Sequence, residues 1–420
     1  MFSDQMVIVV RHVVQAAGWP QLCSQLRLAK GLRELVLDLQ GRAVSAVPAK
    51  LASISCLTQL ESLQLDSVGN HAEGKHLSAG LRPLTRLTQL SLRFVLDDAP
   101  DNADQDSDDE EDSRTVFPWA AAVCRLTNLQ ELRVTADLDP DGDWGAMFRG
   151  ALPAALSRLT ALRHFTVLGM DIQQVHGENG DEPLLPALPA LETAALELHT
   201  FSNEYPGLGR LQHVVLSRIV SLSLALHDAE CSNLDDSTQL PAIVAPALTE
   251  LTLAGMWLAP ECSELSWLAG LPKLRRLVLS DLETRSRELP QGVTACSGLI
   301  DLVLEGVSVS PSDNIEWDVY PCFLRKLPPA GPYLSKLARL SLRKNAFSAV
   351  PSCLAAATAL EVLDLAEQRL QDFDEERGEP VQGLDMLDSL TRLHFLHLHV
   401  FSEQGICQFR AANPNVDVVM

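Results

Sequence analysis

The spacing L-x-x-L-x-L recurs thirteen times in one frame along this 420-residue chain, and the recurrence decides what the chain can fold into. The segments begin at Leu32, Leu60, Leu87, Leu129, Leu162, Leu191, Ile219, Leu248, Leu274, Leu299, Leu337, Leu360 and Leu393. Successive starts lie 28, 27, 42, 33, 29, 28, 29, 26, 25, 38, 23 and 33 residues apart, a repeat with insertions in the longer gaps. At the seventh segment Leu211-x-x-Val214-x-Leu216 also fits. Several segments share a lead-in, as in Leu57-Thr58-Gln59-Leu60, Leu84-Thr85-Arg86-Leu87 and Leu390-Thr391-Arg392-Leu393.

In L-x-L the two leucines of a short strand point to one face and the residues between them to the other, so each strand buries a pair and exposes a column. The chain must then return on the outside. The returns Leu152-Pro153-Ala154-Ala155-Leu156, Leu289-Pro290-Gln291-Gly292-Val293 and Val350-Pro351-Ser352-Cys353-Leu354 place a proline where a first helical turn starts, which predicts short outer helices. One repeat cannot bury its own leucines, so neighbours stack and a curved parallel sheet follows.

This pattern resembles the leucine-rich repeat family over about residues 28–402. The resemblance implies an α/β solenoid, a horseshoe with a parallel sheet on its concave face and short helices or irregular turns on its convex face. The family often places Asn after the strand, where it builds an internal hydrogen-bonded ladder. Here only Asn345 matches, and the corresponding positions include Met170, Met256, Leu282, Val307 and Gln368. The irregular lengths look like intracellular plant and algal repeats, including those of plant immune receptors, yet no GxxxxGK[ST] accompanies them. The expected organisation is an N-terminal cap over 1–28, the solenoid over 29–402 with insertions at 97–118 and 310–332, and a C-terminal cap over 403–420.

Composition excludes several functions. The net charge of −22 argues against a nucleic-acid backbone or an anionic membrane as ligand. No run approaches the roughly 18 to 20 apolar residues that span a bilayer, and Met6–Val10 is too short and wrongly flanked for a signal peptide. The nine cysteines are scattered without CxxC, which predicts free thiols, with Cys56, Cys124, Cys296 and Cys353 filling core. No GxSxG, HExxH or kinase signature occurs, so no enzyme and no cofactor is expected.

Asp97 to Asp112 holds ten acidic residues and no basic one, a solvated run expected to be disordered. Its Asp106, Asp108, Asp109, Glu110, Glu111 and Asp112 form a candidate docking loop for a basic partner. Asp137-Leu138-Asp139-Pro140-Asp141-Gly142-Asp143 copies the first half of a calcium loop, but Phe148 stands where the closing Glu belongs, and a polar turn is expected instead. His397 and His399 share a strand face without a third ligand, so no metal is expected.

The resemblance also implies that partners bind the concave columns. The column between the strand leucines runs Val36, Gln64, Ser91, Arg133, Thr166, Ala195, Ser223, Thr252, Val278, Val303, Ser341, Asp364 and His397, small and weakly polar in the middle. Towards the C-terminus Arg339, Arg343, Lys344, Asp364, Phe395, His397 and His399 mix cations, an aromatic and imidazoles, and these are the candidate partner-binding residues. The expected function is a non-enzymatic scaffold that binds a protein through the concave sheet or the acidic insertion. The alternative is the recognition array of an immune-receptor-like or ubiquitin-ligase assembly whose effector lies elsewhere. A cytoplasmic location is expected, and the resemblance adds the ciliary axoneme.

Overall fold

The structure, a computed structural model, describes residues 6–10, 24, 28–29, 31–38, 52–68, 74–95, 117–137, 149–150, 152–172, 187–200, 216–228, 243–258, 265–284, 289–309, 322–368, 383–398 and 403–419. The chain forms two compact units, Met1–Phe201 and Ser202–Met420. Each is a stretch of α/β leucine-rich repeat solenoid, and every one of the thirteen L-x-x-L-x-L segments carries a strand.

In the N-terminal unit the strands are β1 (Met6–Val10), β2 (Leu32–Asp38), β3 (Ser62–Val68), β4 (Gln89–Val95), β5 (Glu131–Asp137), β6 (Arg149–Gly150), β7 (His164–Ile172) and β8 (Thr193–Thr200). They pair in parallel in the order β1-β2-β3-β4-β5-β7-β8, with β6 on the end of β7. The register matches leucine to leucine: Leu35, Leu63, Leu90, Leu132 and Phe165 are successive partners, and all are buried. Each buried leucine contributes about 2 kcal/mol, and the second layer that covers it comes from the neighbouring repeats. The shared lead-in has a structural cause. In Leu57-Thr58-Gln59-Leu60 the Leu60 N–H donates to the Leu57 carbonyl at 2.9 Å, a tight turn that buries both leucines and leaves the two central residues exposed. The same bond recurs from Leu87 to Leu84, Leu129 to Leu126 and Leu162 to Leu159.

The C-terminal unit holds β9 (Ser221–Asp228), β10 (Glu250–Ala254), β11 (Trp257–Leu258), β12 (Arg276–Ser280), β13 (Glu283–Thr284), β14 (Asp301–Glu305), β15 (Ser308–Val309), β16 (Cys322–Phe323), β17 (Arg339–Ser341), β18 (Val362–Leu365), β19 (Phe395–Leu398) and β20 (Asp417–Val419). The long strands β9, β10, β12, β14, β17, β18, β19 and β20 pair in parallel, and the short β11, β13, β15 and β16 make a second sheet closed by an antiparallel pair. At the seventh segment Ile219 precedes the strand; Leu211 lies outside the described residues. Seven of the described strands lie outside the leucine spacing: β1 on β2, β20 on β19, and the short β6, β11, β13, β15 and β16.

The chain passes through one left-handed residue at Gly169, at an irregularity within β7, and just after a strand at Gly255, Asp281, Gly306, Lys344 and Glu367. That residue turns the next side chain inward, so Met170, Met256, Leu282, Val307, Asn345 and Gln368 are all buried. Gly169 has φ +67°, and a Cβ there would lie 2.2 Å from the Ala136 carbonyl oxygen, so only glycine fits.

The outer layer consists mainly of single 3-10 turns, Ala52–Cys56, Ala154–Arg158, Ser266–Gly270, Ser352–Ala356 and Leu384–Ser389, with α1 (Gly74–Leu81), α2 (Pro118–Val123), α3 (Gln291–Thr294) and α4 (Glu403–Ala412). The return prolines sit one residue earlier than expected. Pro153, Pro290 and Pro351 are the residues before each helix, and their carbonyls accept from Leu156, Val293 and Leu354 at 2.9, 3.0 and 3.0 Å, so each proline begins the turn by its oxygen. Within the expected insertion 310–332, β16 pairs with β15 and Leu324 is buried, and at its end the turn Pro332–Leu334 buries Tyr333, whose hydroxyl donates to the Pro328 carbonyl at 3.0 Å. In the expected C-terminal cap, α4 buries Ile406 and Phe409, and Arg410 donates to the Val418 carbonyl at 2.8 Å.

Candidate protein-binding faces

The strand register brings most of the expected partner-binding residues onto one sheet face of the C-terminal unit. Arg339 lies opposite Val362, and Val362 opposite Phe395; Ser341, Asp364 and His397 form the next row. His399 and the acidic residues Asp106, Asp108, Asp109, Glu110, Glu111 and Asp112 lie outside the described residues, as do the possible ligands after Asp137.

The charges in this cluster are already matched with one another. Asp301 stands between two arginines on the adjoining strands, accepting from Arg276 at 2.6 Å and from Arg339 at 3.0 and 3.1 Å. Its side chain is only 7 % exposed, so without those guanidinium groups it would be a buried, uncompensated charge. Lys344 pairs with Glu305 at 2.8 Å, Arg343 with Glu367 and with Asp364 at 3.8 Å, and His397 with Asp364 at 3.2 Å. A second Asp364 bond comes from the Ala366 N–H at 3.0 Å. The Glu367 hydrogen bond holds Arg343 above the usual arginine range, and the Glu305 bond does the same for Lys344. Arg276, Asp301, Glu305 and Glu367 were not among the expected site residues. For Arg276 and Asp301 the signal was present one position before the first strand leucine, where Glu250, Arg276, Asp301 and Arg339 alternate in sign down one row; Glu305 and Glu367 lie outside that row.

Below that face, two buried amides hold the interior. The Asn345 Nδ2 donates to the carbonyls of Leu304, Leu342 and Arg343 at 2.7, 2.9 and 3.0 Å, and its Oδ1 accepts from the Val307 N–H at 3.1 Å. Gln368 does the same work one repeat later: Nε2 donates to Leu342, Leu365 and Ala366, and Oε1 accepts from the Phe347 N–H at 3.0 Å. A search for Asn alone finds only the first of the pair, because the longer glutamine reaches the same backbone groups.

The N-terminal unit presents a different surface. A depression of about 770 Å³ opens on its strand face, lined by Glu34, Ser62, Gln64, Asp66, Gln89, Ser91, Arg93, Glu131, Arg133, Thr135 and Leu168 among others. Gln64 donates to both Asp66 oxygens at 3.1 Å. Glu34, Glu131 and Arg133 make no ion pair among the described residues. The pairs Arg33–Glu61, Arg86–Glu61 and Arg163–Glu192, at 3.3, 3.6 and 3.7 Å, lie on well-exposed side chains at the strand entrances and add little.

The thiols divide by position. Cys124 and Cys296 are buried and Cys353 half-buried, whereas Cys56 is exposed and fills no core. It falls at the last residue of its 3-10 turn, where the side chain points outward while Ile54 takes the inner place. Burial pushes the Cys296 thiol up to about 11. Among the described residues no helix is long and apolar enough to cross a membrane.

No protein-family model matches the chain, and no curated protein matches it. Solved structures do match. An internalin from Listeria monocytogenes is 15 % identical, with 96 % of this chain and 93 % of that one covered and a TM-score of 0.49. A leucine-rich repeat protein of Leptospira interrogans is 18 % identical over 94 % and 91 %, with a TM-score of 0.42. Toll of Drosophila, in its complex with Spatzle, is 16 % identical over 94 % and 43 %, with a TM-score of 0.48.

Proposed function

We propose that this chain, which folds as a leucine-rich repeat solenoid, is a non-enzymatic module that binds a protein partner on the open faces of its strands. The observation that carries this reading is the broad polar strand face of the N-terminal unit, where a depression of about 770 Å³ lies open among residues from successive strands. Its polar lining suits a surface made and broken in water.

The test is affinity purification from cytosol with the intact chain, with a deletion of Asp97 to Asp112, and with an Arg339→Glu/Arg343→Glu double variant. A protein captured by the intact chain above an unrelated repeat control supports the binding role, and its loss in one variant assigns the acidic insertion or the C-terminal face. Capture of nothing beyond that control removes the reading.

A further inference from the structure

We propose that the depression in the N-terminal unit takes an extended, basic segment of the partner, with Lys or Arg at positions i and i+4 seated over Glu34 and Glu131. The inference rests on the protein-binding reading and specifies its ligand. Glu34, Ser62, Gln89 and Glu131 are register partners on four successive strands, so the two carboxylates stand three strand spacings apart. At about 4.8 Å per spacing that is roughly 14 Å. Four residues of extended chain cover roughly 13 Å, and i and i+4 point to the same side. The two lengths agree, so a segment crossing the strands can place one cation at each carboxylate.

Between the carboxylates lie Ser62 and Gln89, with Ser91 beside them, and these offer hydroxyl and amide groups to the segment's backbone. No aromatic side chain lines the depression, and of its leucines Leu63 and Leu90 are buried, which leaves little apolar surface to grip an apolar helix. Charge favours the same occupant, since three carboxylates, Glu34, Asp66 and Glu131, line the depression against two arginines, Arg93 and Arg133. Neither Glu34 nor Glu131 has an ion-pair partner among the described residues, and the net charge of −22 draws cations towards the whole surface. Arg133 projects from the strand of Glu131 two residues further on, and it opposes a cation there. Its charge therefore lowers the affinity of a basic segment, which makes it a lever for the test.

The probes are short Ser/Thr/Val peptides carrying two lysines at i and i+2, i and i+4, or i and i+6, equal in charge, titrated by fluorescence anisotropy against the full chain. The spacing of four should bind tightest. Glu34→Lys/Glu131→Lys should weaken it at least about tenfold, and Arg133→Glu should tighten it by about threefold. Because misfolding cannot strengthen binding, the second result is independent of any loss of structure in the first. Equal affinity at all three spacings, or an affinity unmoved by the Glu34/Glu131 change, overturns the proposal. A cytosolic partner that still binds the Glu34→Lys/Glu131→Lys chain would overturn it too while leaving the protein-binding role standing. Capture of no partner at all, with the spacing rule obeyed, would remove that role instead.

Discussion

The two units carry charged strand faces of similar residue types but use them in opposite ways. In the C-terminal unit Arg276, Asp301, Arg339, Glu305, Lys344, Arg343 and Asp364 neutralise one another across strands. In the N-terminal unit Glu34, Glu131 and Arg133 face water beside a depression. Residue type in a column therefore says little about what a face offers to a partner. What decides it is the neighbour in register, because a cation already held by a carboxylate must lose that bond before it can serve another.

The comparison can be broken by mutation, most severely through the interior of the C-terminal unit. Asn345→Leu should cost about 3 kcal/mol, since it strands the buried Val307 N–H and Leu304 carbonyl; hydrogen exchange localised to β14 and β17 should rise. Gln368→Leu should cost about 2 kcal/mol by the same measure, and an unchanged exchange rate in either variant would show that the amides are dispensable. Asp301→Ala should cost about 2 kcal/mol, discounted because its arginine partners are half exposed. The matching change in the other unit, Glu131→Ala, should move stability by less than about 0.5 kcal/mol, and thermal melts of the two variants side by side decide whether the asymmetry is real.

A smaller effect comes from alkali. Cys296 has its folded pKa raised from 9.0 to about 11, so between those values the folded state holds a proton that the unfolded state has lost. Stability of the C-terminal unit should fall as pH rises from 9.0 towards about 11, and Cys296→Ala should flatten that slope. Smallest of all, native alkylation followed by mass spectrometry should label the exposed Cys56 and Cys407 well before Cys124 and Cys296; equal rates would contradict the assigned burial.

The leucine spacing was enough to locate thirteen strands, because burial at a fixed period leaves a mark on residue type. β1 and β20 were missed because Val-Ile-Val-Val and Asp-Val-Val lack that spacing and owe their strands to an existing edge. The C-terminal cluster was half legible. Arg339, Asp364, Phe395 and His397 lie in adjoining rows, but the cluster's pairings depend on Arg276, Asp301, Glu305 and Glu367, which mean nothing until the rows are aligned. Gln368 was misread for a related reason: its role is fixed by the left-handed bend before it, which places any amide of sufficient reach against the same carbonyls.

Those bends also give the chain a direction in time. The amide of Gly255 donates to Ser280, that of Asp281 to Glu305, that of Gly306 to Arg343 and that of Lys344 to Ala366, so each bend is closed by the repeat that follows it. During synthesis from the N-terminus, the newest repeat always waits for its successor before its own corner is satisfied. A ribosome that stalls within this unit would therefore hold out one unfinished corner beside a completed stack, and release of the next two dozen or so residues would close it.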